Sequence, residues 1–316
     1  MGERTTMLST VLACLVAVVA TGPRLLRPRT ADATFLDTLD CAPIPPAHTT
    51  VGLTALVQAH LSAPTAIVAE GVRTLRSTPL TMSAFLIRHP EATFLVDPAV
   101  CAGVHQRVLP ELPFPVPLLV APDNPVHGLS EVLAAHDLTG NDIDFVLPTH
   151  LHWDHVAGLY ELPGLVPIRV PAAEYRWAMT GAHAPLGVAR GPLRGRAFDL
   201  YELDGPPILT FPRSHDLFGD GSVQIVDLAG HTPGSVGILL AVDDGTHVLL
   251  AGDAVWSTLQ IDLVRETAPL VGELFDADRD KAFETIHRLH ALPPDIEVIP
   301  GHDRAAVAAR VTPQIQ

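Results

Sequence analysis

Short runs of apolar residues, each closed by glycine, proline or aspartate, recur along this chain. Ser83–Asp97 (SAFLIRHPEATFLVD) reads as a hairpin: two β-rich runs flank the turn signal His89-Pro90-Glu91. Asp144–Leu147 is a short buried strand. Val223–Val226 pairs across the Asp220-Gly221 turn with Leu217-Phe218. His247–Leu250 and Ile296–Ile299 are further strands. Helical spacing predicts a helix over Ser130–Leu138, with Gly140 beyond it. A second is expected over 281–292, where Phe283, Ile286, Leu289 and Leu292 share one face. Residues 30–82 are loosely patterned and read as a lead-in. The proline-dense stretch 110–125 is a stiff surface loop or lid, since proline cannot serve a central strand. Residues 181–196 form a Gly/Arg-rich loop. No repeat or composition break divides the chain, so 31–316 is expected to be a single domain of mixed strands and helices.

The first thirty residues stand apart. Met7–Ala20 is a 14-residue, mostly apolar stretch, short for a spanning helix and right for the core of a signal peptide. Arg24, Arg27 and Arg29 follow it, which favours keeping that side in the cytoplasm. Residues 1–30 are thus a signal peptide, an anchor or a retained segment, and membrane contact is expected only through residues 7–20. Export would allow Cys41 and Cys101 to pair; otherwise they are free thiols.

Composition narrows the function. Lys+Arg 20 against Asp+Glu 35 gives a net charge of −15 over 316 residues, with Lys281 the single lysine. Such a surface repels phosphate backbones, so no nucleic-acid partner is expected. Three cysteines without CxxC spacing exclude a cysteine-based zinc finger or disulfide scaffold. Hydrophobic residues at 47% supply a core. The 16 histidines are the unusual feature.

His150-Leu151-His152-Trp153-Asp154-His155 packs three imidazoles and a carboxylate into six residues. His150 and His152 point the same way on an extended stretch. Asp154 and His155 follow where a helix begins, so one strand end can aim four side chains at a small volume. Imidazole and carboxylate suit zinc and similar first-row metals. Three further strands end in the same manner: Gly230-His231, Gly252-Asp253 and Gly301-His302. Glycine allows a sharp turn there, and a strand end is a rigid mount for a ligand. The other histidines, from His48 to His290, stand alone and read as surface or capping residues, with His287 and His290 near a polar helix face. Burying three imidazoles and a carboxylate together without a cation would be costly.

The set His-x-His-x-Asp-His at 150–155, Gly-His-Thr-Pro-Gly at 230–234, Gly-Asp-Ala at 252–254 and Pro-Gly-His-Asp at 300–303 resembles the metallo-β-lactamase fold superfamily over about residues 80–310. The resemblance implies an α/β fold of α+β type, an αββα four-layer sandwich of two mixed sheets. It implies two divalent metals, Zn first and Fe or Mn as alternatives. One metal would take His150, His152 and His231, the other Asp154, His155 and His302, with Asp253 bridging. The pattern is similar to the N-acyl-homoserine lactonase and glyoxalase II branches. One departure is Trp256, three residues after Asp253, where lactonases of that branch commonly carry tyrosine.

The expected activity is therefore a dinuclear hydrolase that cleaves a small lactone or carboxylic ester with a bridging hydroxide. Asp154 would move a proton and the Trp256 N–H would steady an oxyanion. Thioester or phosphotriester hydrolysis and iron-dependent persulfide oxidation are the alternatives. Asp303 and Thr149 are the candidates for fixing histidine tautomers. The 110–125 and 181–196 segments are expected to wall the cleft. Arg190, Arg194 and Arg196 serve either an anionic substrate or a solvated loop, and Trp153 either the core or the cleft.

Overall fold

The computed structural model describes residues 2–311, with side chains from residue 7 onward. Eleven strands form two facing sheets among the described residues. The first runs β1 (Gly52–Pro64), β2 (Ser77–His89), β3 (Ala92–Val96), β4 (Phe145–Leu147), β5 (Ile168–Pro171) and β6 (Phe198–Tyr201), in that spatial order. β1, β2 and β3 pair antiparallel, and β3 through β6 are parallel. The second sheet has the order β11-β10-β9-β8-β7. Its strands are β7 (Ser214–Asp216), β8 (Val223–Asp227), β9 (Val236–Ala241), β10 (His247–Leu250) and β11 (Ile296–Ile299). Only β10 and β11 are parallel.

Side-chain alternation explains the layering. Phe85, Ile87, Phe94 and Val96 point between the sheets and meet Ile225, Ile238, Leu240, Val248 and Leu250. Their neighbours Ala84, Leu86 and Leu95 point the other way, onto Leu129, Leu133, Leu151 and Leu159. Val226, Leu239 and Leu249 cover the far side of the second sheet with Phe283, Ile286 and Leu289 of the helix Arg279–His290. Helices therefore pack on both outer faces, and the fold is the expected αββα sandwich. Each fully buried Leu, Ile, Val or Phe contributes about 1.5–3 kcal/mol.

Several expectations need correction. The 110–125 segment, read as a loop or lid, holds the helix Val116–Val120, and His89, read as a surface or capping residue, is buried and stacked on Phe218. The lead-in 30–82 holds all of β1 and the start of β2. β1 runs from a buried half to the alternating stretch His60–Pro64, so it lacks one clean period that a sequence could announce. The helix expected over 130–138 ends at Ala134, and Asp137 turns to φ +58°. His287 is buried rather than on a polar face: its Nε2 accepts from the Asp32 N–H at 2.8 Å and its Nδ1 donates to Phe283 O. Cys14, Cys41 and Cys101 are unpaired thiols.

Candidate metal centre

The C-terminal ends of four strands converge at one edge of the sandwich. β4 leads into His150 and His152 and the helix Trp153–Val156. β8, β10 and β11 lead into His231, Asp253 and His302. All seven residues singled out as donors come together in two groups. His150, His152 and His231 form one; Asp154, His155, Asp253 and His302 form the other, with ligand atoms within 4.8 Å inside each group. The groups adjoin, since His231 Nε2 lies 3.7 Å from Asp253 Oδ2.

A second layer of acceptors turns the rings inward. His155 Nδ1 is 2.9 Å from Asp97 Oδ2, His231 Nδ1 is 2.8 Å from Asp276 Oδ1, and His302 Nδ1 donates to Thr81 O at 2.9 Å. Thr149 Oγ1 lies 3.2 Å from His150 Nδ1 and donates to Asp97 Oδ2. Asp97 follows β3, whose Val96 pairs in parallel register with Leu147 of β4. The carboxylate therefore leaves the sheet beside Thr149, and it also accepts the Thr149 N–H at 2.7 Å. Glu174, fully buried, ties two donor loops together. It accepts from the Leu151 N–H at 2.8 Å, the Thr232 hydroxyl at 2.6 Å and the Gly234 N–H at 3.1 Å.

Asp97, Asp276 and Glu174 were not anticipated. Asp97 carries a readable signal, an apolar strand followed at once by aspartate, the same rule that points to Asp253. Asp276 and Glu174 lie at or near helix ends and show none. Asp303 does not touch an imidazole; it caps the helix Arg304–Ala308 and binds Thr258.

Glycines set the close approaches. Gly252 sits at φ +49°, and a Cβ there would meet Thr149 Oγ1 at 2.5 Å. Gly187 sits at φ +87° against His152, with only 2.7 Å to Cδ2.

The electrostatics set His150 and His152 apart from the other imidazoles, since burial at His231 is outweighed by the carboxylates of Asp276 and Asp253, which raise it. Burial, with neighbouring imidazoles, holds His150 and His152 well below the usual histidine range, so both are neutral. Burial also acts against charge on His155, but Asp97 and Asp253 outweigh it and raise that group well above the usual value. For Asp253 burial is again outweighed, by His302 and His155, and its carboxyl is held well below the ordinary range. Burial pushes Asp154 up.

The donors fit cations. His150 Nε2 and His152 Nε2 are buried without a hydrogen-bond partner, and Asp253 Oδ1 lies 3.1 Å from both His155 Nε2 and His302 Nε2. His152 Nδ1 and His231 Nε2 face each other at 2.9 Å. Unpaired buried polar atoms cost about 1–3 kcal/mol each, and inward-facing imidazole nitrogens with a carboxylate oxygen are the donors a divalent metal takes.

Beside the donors lies a cavity of about 240 Å³. His152, Asp154, Asp253 and Trp256 line its polar end; Leu61, Ile67, Leu119, Val120, Leu270, Val271 and Phe275 line the rest. The 110–125 segment supplies Leu119 and Val120, as a wall. From 181–196 only Gly187 reaches the cavity. Arg190 caps the carbonyls of Ala178 and Thr180, and Arg196 those of Leu162 and Pro163; Arg194 is exposed, so none faces the cleft. Trp153 is buried in the core and also touches the cavity. The Trp256 indole N–H is directed not into open space but onto Asp253 Oδ2, at 3.0 Å.

The two-sheet sandwich thus gathers five imidazoles and two carboxylates at its strand ends, in two adjoining groups that could each hold a metal ion. The chain belongs to the metallo-β-lactamase superfamily, whose family model matches residues 78–302, more than half of its length. It is 30% identical over 169 residues to the N-acyl homoserine lactonase AttM of Rhizobium radiobacter, covering 53% of this chain and 60% of that protein. It is 27% identical over 185 residues to the hydroxyacylglutathione hydrolase of Methylococcus capsulatus, covering 58% of each. The matches thus span less than two thirds of these relatives. A solved N-acyl homoserine lactone hydrolase, with N-hexanoyl-L-homoserine at its catalytic metal center, superposes with TM-score 0.64 at 19% identity, over 84% of this chain and 99% of that one. That likeness concerns the fold.

Proposed function

We propose that this hydrolase holds two zinc ions and opens lactones or carboxylic esters that carry an apolar acyl group. The observation that carries the substrate class is the cavity wall, which beyond the donors is apolar except for Ser62, with no lysine or arginine among the described lining residues. A glutathione thioester would bring carboxylates into that wall without a cation to meet them, which favours the lactone or ester over the hydroxyacylglutathione reading.

His150, His152 and His231 would hold one metal, and Asp154, His155 and His302 the other, with Asp253 shared. Two bound divalent metals supply a hydroxide nucleophile near neutral pH and polarise the carbonyl it attacks. Asp97, Asp276 and Thr81 O face the Nδ1 atoms of His155, His231 and His302, which turns each Nε2 inward and would leave it to a metal. Asp154 lines the cavity beside the other donors, so its carboxylate is placed to pass a proton to the leaving oxygen. Trp256 orients Asp253 through its N–H rather than meeting the substrate oxygen. The Leu119–Val120 and Leu270–Val271 walls seat the acyl group.

The test is elemental analysis of the purified protein together with a panel of acyl lactone, aryl ester and glutathione thioester substrates. Two zinc ions per chain and faster turnover of lactones and esters as the acyl chain lengthens are expected. Preferential turnover of the glutathione thioester would overturn the substrate assignment.

A further inference from the structure

The N-terminal helix, Gly2–Leu26, is built the wrong way round for water. Thr10, Cys14, Ala17 and Thr21, spaced at helical period, face the body and are buried. Leu8, Leu12, Leu15 and Val19 point outward at 72%, 61%, 58% and 76% exposure. A surface helix of a water-soluble protein buries its large apolar residues and exposes its small and polar ones. Small residues inward and large apolar residues outward is the arrangement of a helix whose outer side meets lipid. No charged residue interrupts Thr5–Pro23, and Met7–Leu26 is long and apolar enough to cross a membrane.

The helix is nevertheless fastened along the protein. The Thr21 hydroxyl accepts from the Leu270 N–H at 2.8 Å. Just past the apolar run, Arg24 donates to both oxygens of Glu70, at 3.1 and 2.7 Å, and the Arg29 N–H adds a third bond at 2.7 Å. Arg24 and Arg29 each approach Glu266 at 3.4 Å. Glu70 and Glu266 are both buried, so removing these arginines would leave carboxylates poorly compensated. A spanning helix would drag the flanking body, with its charges and sheet edges, into hydrocarbon. A helix lying in the plane of the bilayer surface does not.

The inner face of the helix packs beside the cleft. Cys14 and Ala17 belong to the same apolar cluster as Phe275, against which Val120 and Val271 also pack. Phe275, Val120, Val271 and Leu119 line the cavity; Leu119 is 50% exposed, and its chain neighbour Leu118 is 75% exposed. At the other end of the helix, exposed Leu26 and Leu75 are flanked by Arg27, Arg73 and Arg76, and Arg73 reaches the Leu26 carbonyl. This is a local cationic collar on a chain of net charge −15. Anionic headgroups complement it, whereas a second copy of so acidic a chain is repelled.

We propose that the outer face of the N-terminal helix lies in the surface of a lipid bilayer, so that the cleft opens onto the membrane. Taken with the hydrolase reading, on which this last step rests, the enzyme draws its acyl lactone or ester from lipid rather than from water.

The experiment is flotation of the full chain with phosphatidylethanolamine–phosphatidylglycerol vesicles, beside the triple variant Leu12→Glu/Leu15→Glu/Val19→Glu. These side chains make the outer face and take no part in the donor cluster or cavity. The native chain should float, and the variant should partition at least about a hundredfold less. Its melting temperature, metal content and turnover of a water-soluble ester should be unchanged, while turnover of a vesicle-embedded long-chain substrate falls. An epitope placed before Met1 should stay open to external protease. Three results would each overturn the proposal: a native chain that stays in the aqueous fraction, a protected epitope, or a dimer that the variant dissolves without flotation ever being seen. Flotation is read without turnover, so a failed substrate assignment and a failed membrane assignment are distinguishable.

Discussion

At the floor of the cleft, His155, His231 and His302 are each held by an acceptor on Nδ1. One acceptor is itself held: Asp97 takes two bonds from Thr149 besides the imidazole. At the mouth, Leu119, Val120, Leu270 and Val271 meet the cavity through aliphatic contact alone. Directional bonds fix the orientation of the floor, as metal chemistry needs. Non-directional contact leaves the mouth tolerant of shape. Substitutions at the floor should therefore change metal content, and those at the mouth should change substrate preference with metal content kept.

The largest effect is expected from Asp253→Ala. It removes the carboxylate that both donor groups approach, so both metals and all measurable turnover should be lost together. Elemental analysis after gel filtration decides it, and full metal content with full turnover would refute the site. Asp97→Asn comes next. It keeps the shape but weakens the hold on His155 and Thr149, and metal affinity should fall about 10–100-fold in a chelator competition. Asp276→Asn touches His231 alone, so about a tenfold loss is expected in one of the two binding steps seen by titration calorimetry, with the other unmoved. At the mouth, Leu119→Ser should raise KM for a long-chain acyl substrate about tenfold and leave a short-chain ester and the metal count untouched. A drop in metal content there would erase the contrast between floor and mouth.

The smallest effect tests neither region and serves as a control. Bonds from the Thr246 hydroxyl and N–H, then from Arg310, hold the Asp244 carboxyl down at about 2. A folded pKa below the unfolded one means stability that is present above the unfolded value and lost as pH falls toward about 2. Asp244→Asn should thus lower the melting temperature slightly at pH 7, with the gap to the native chain closing between about pH 4 and 2. A gap that widens on acidification would reverse the sign assigned to this group.

Much of the floor was legible because its donors obey a local rule: an apolar strand, a turn and then His or Asp. That rule brings in His150, His231, Asp253 and His302 from separate stretches of chain, and it would have found Asp97. It could not find Glu174 or Asp276, whose partners are distant in sequence and joined only by folding. β1 escaped because its burial changes along its length, so no single period marks it. The cleft walls were half read. Proline density exposed the 110–125 segment, whereas Ile67 and Val271 are ordinary aliphatic residues until the fold sets them side by side. Arg190 and Arg196 show the converse: their charge suggested a ligand, and the backbone carbonyls of their own neighbourhood claim it.

The pairing of Val96 with Leu147 carries a consequence for how this protein could fail. Side chains in a strand alternate between faces, so a slip of one residue between β3 and β4 would swing Asp97 away from Thr149 and His155. The same slip would push Phe94 and Val96 out of the space between the sheets. Assembly of the core and calibration of the catalyst are then one event: a chain that has misaligned this edge has also mistuned its chemistry, and proofreading of the first comes free with the second.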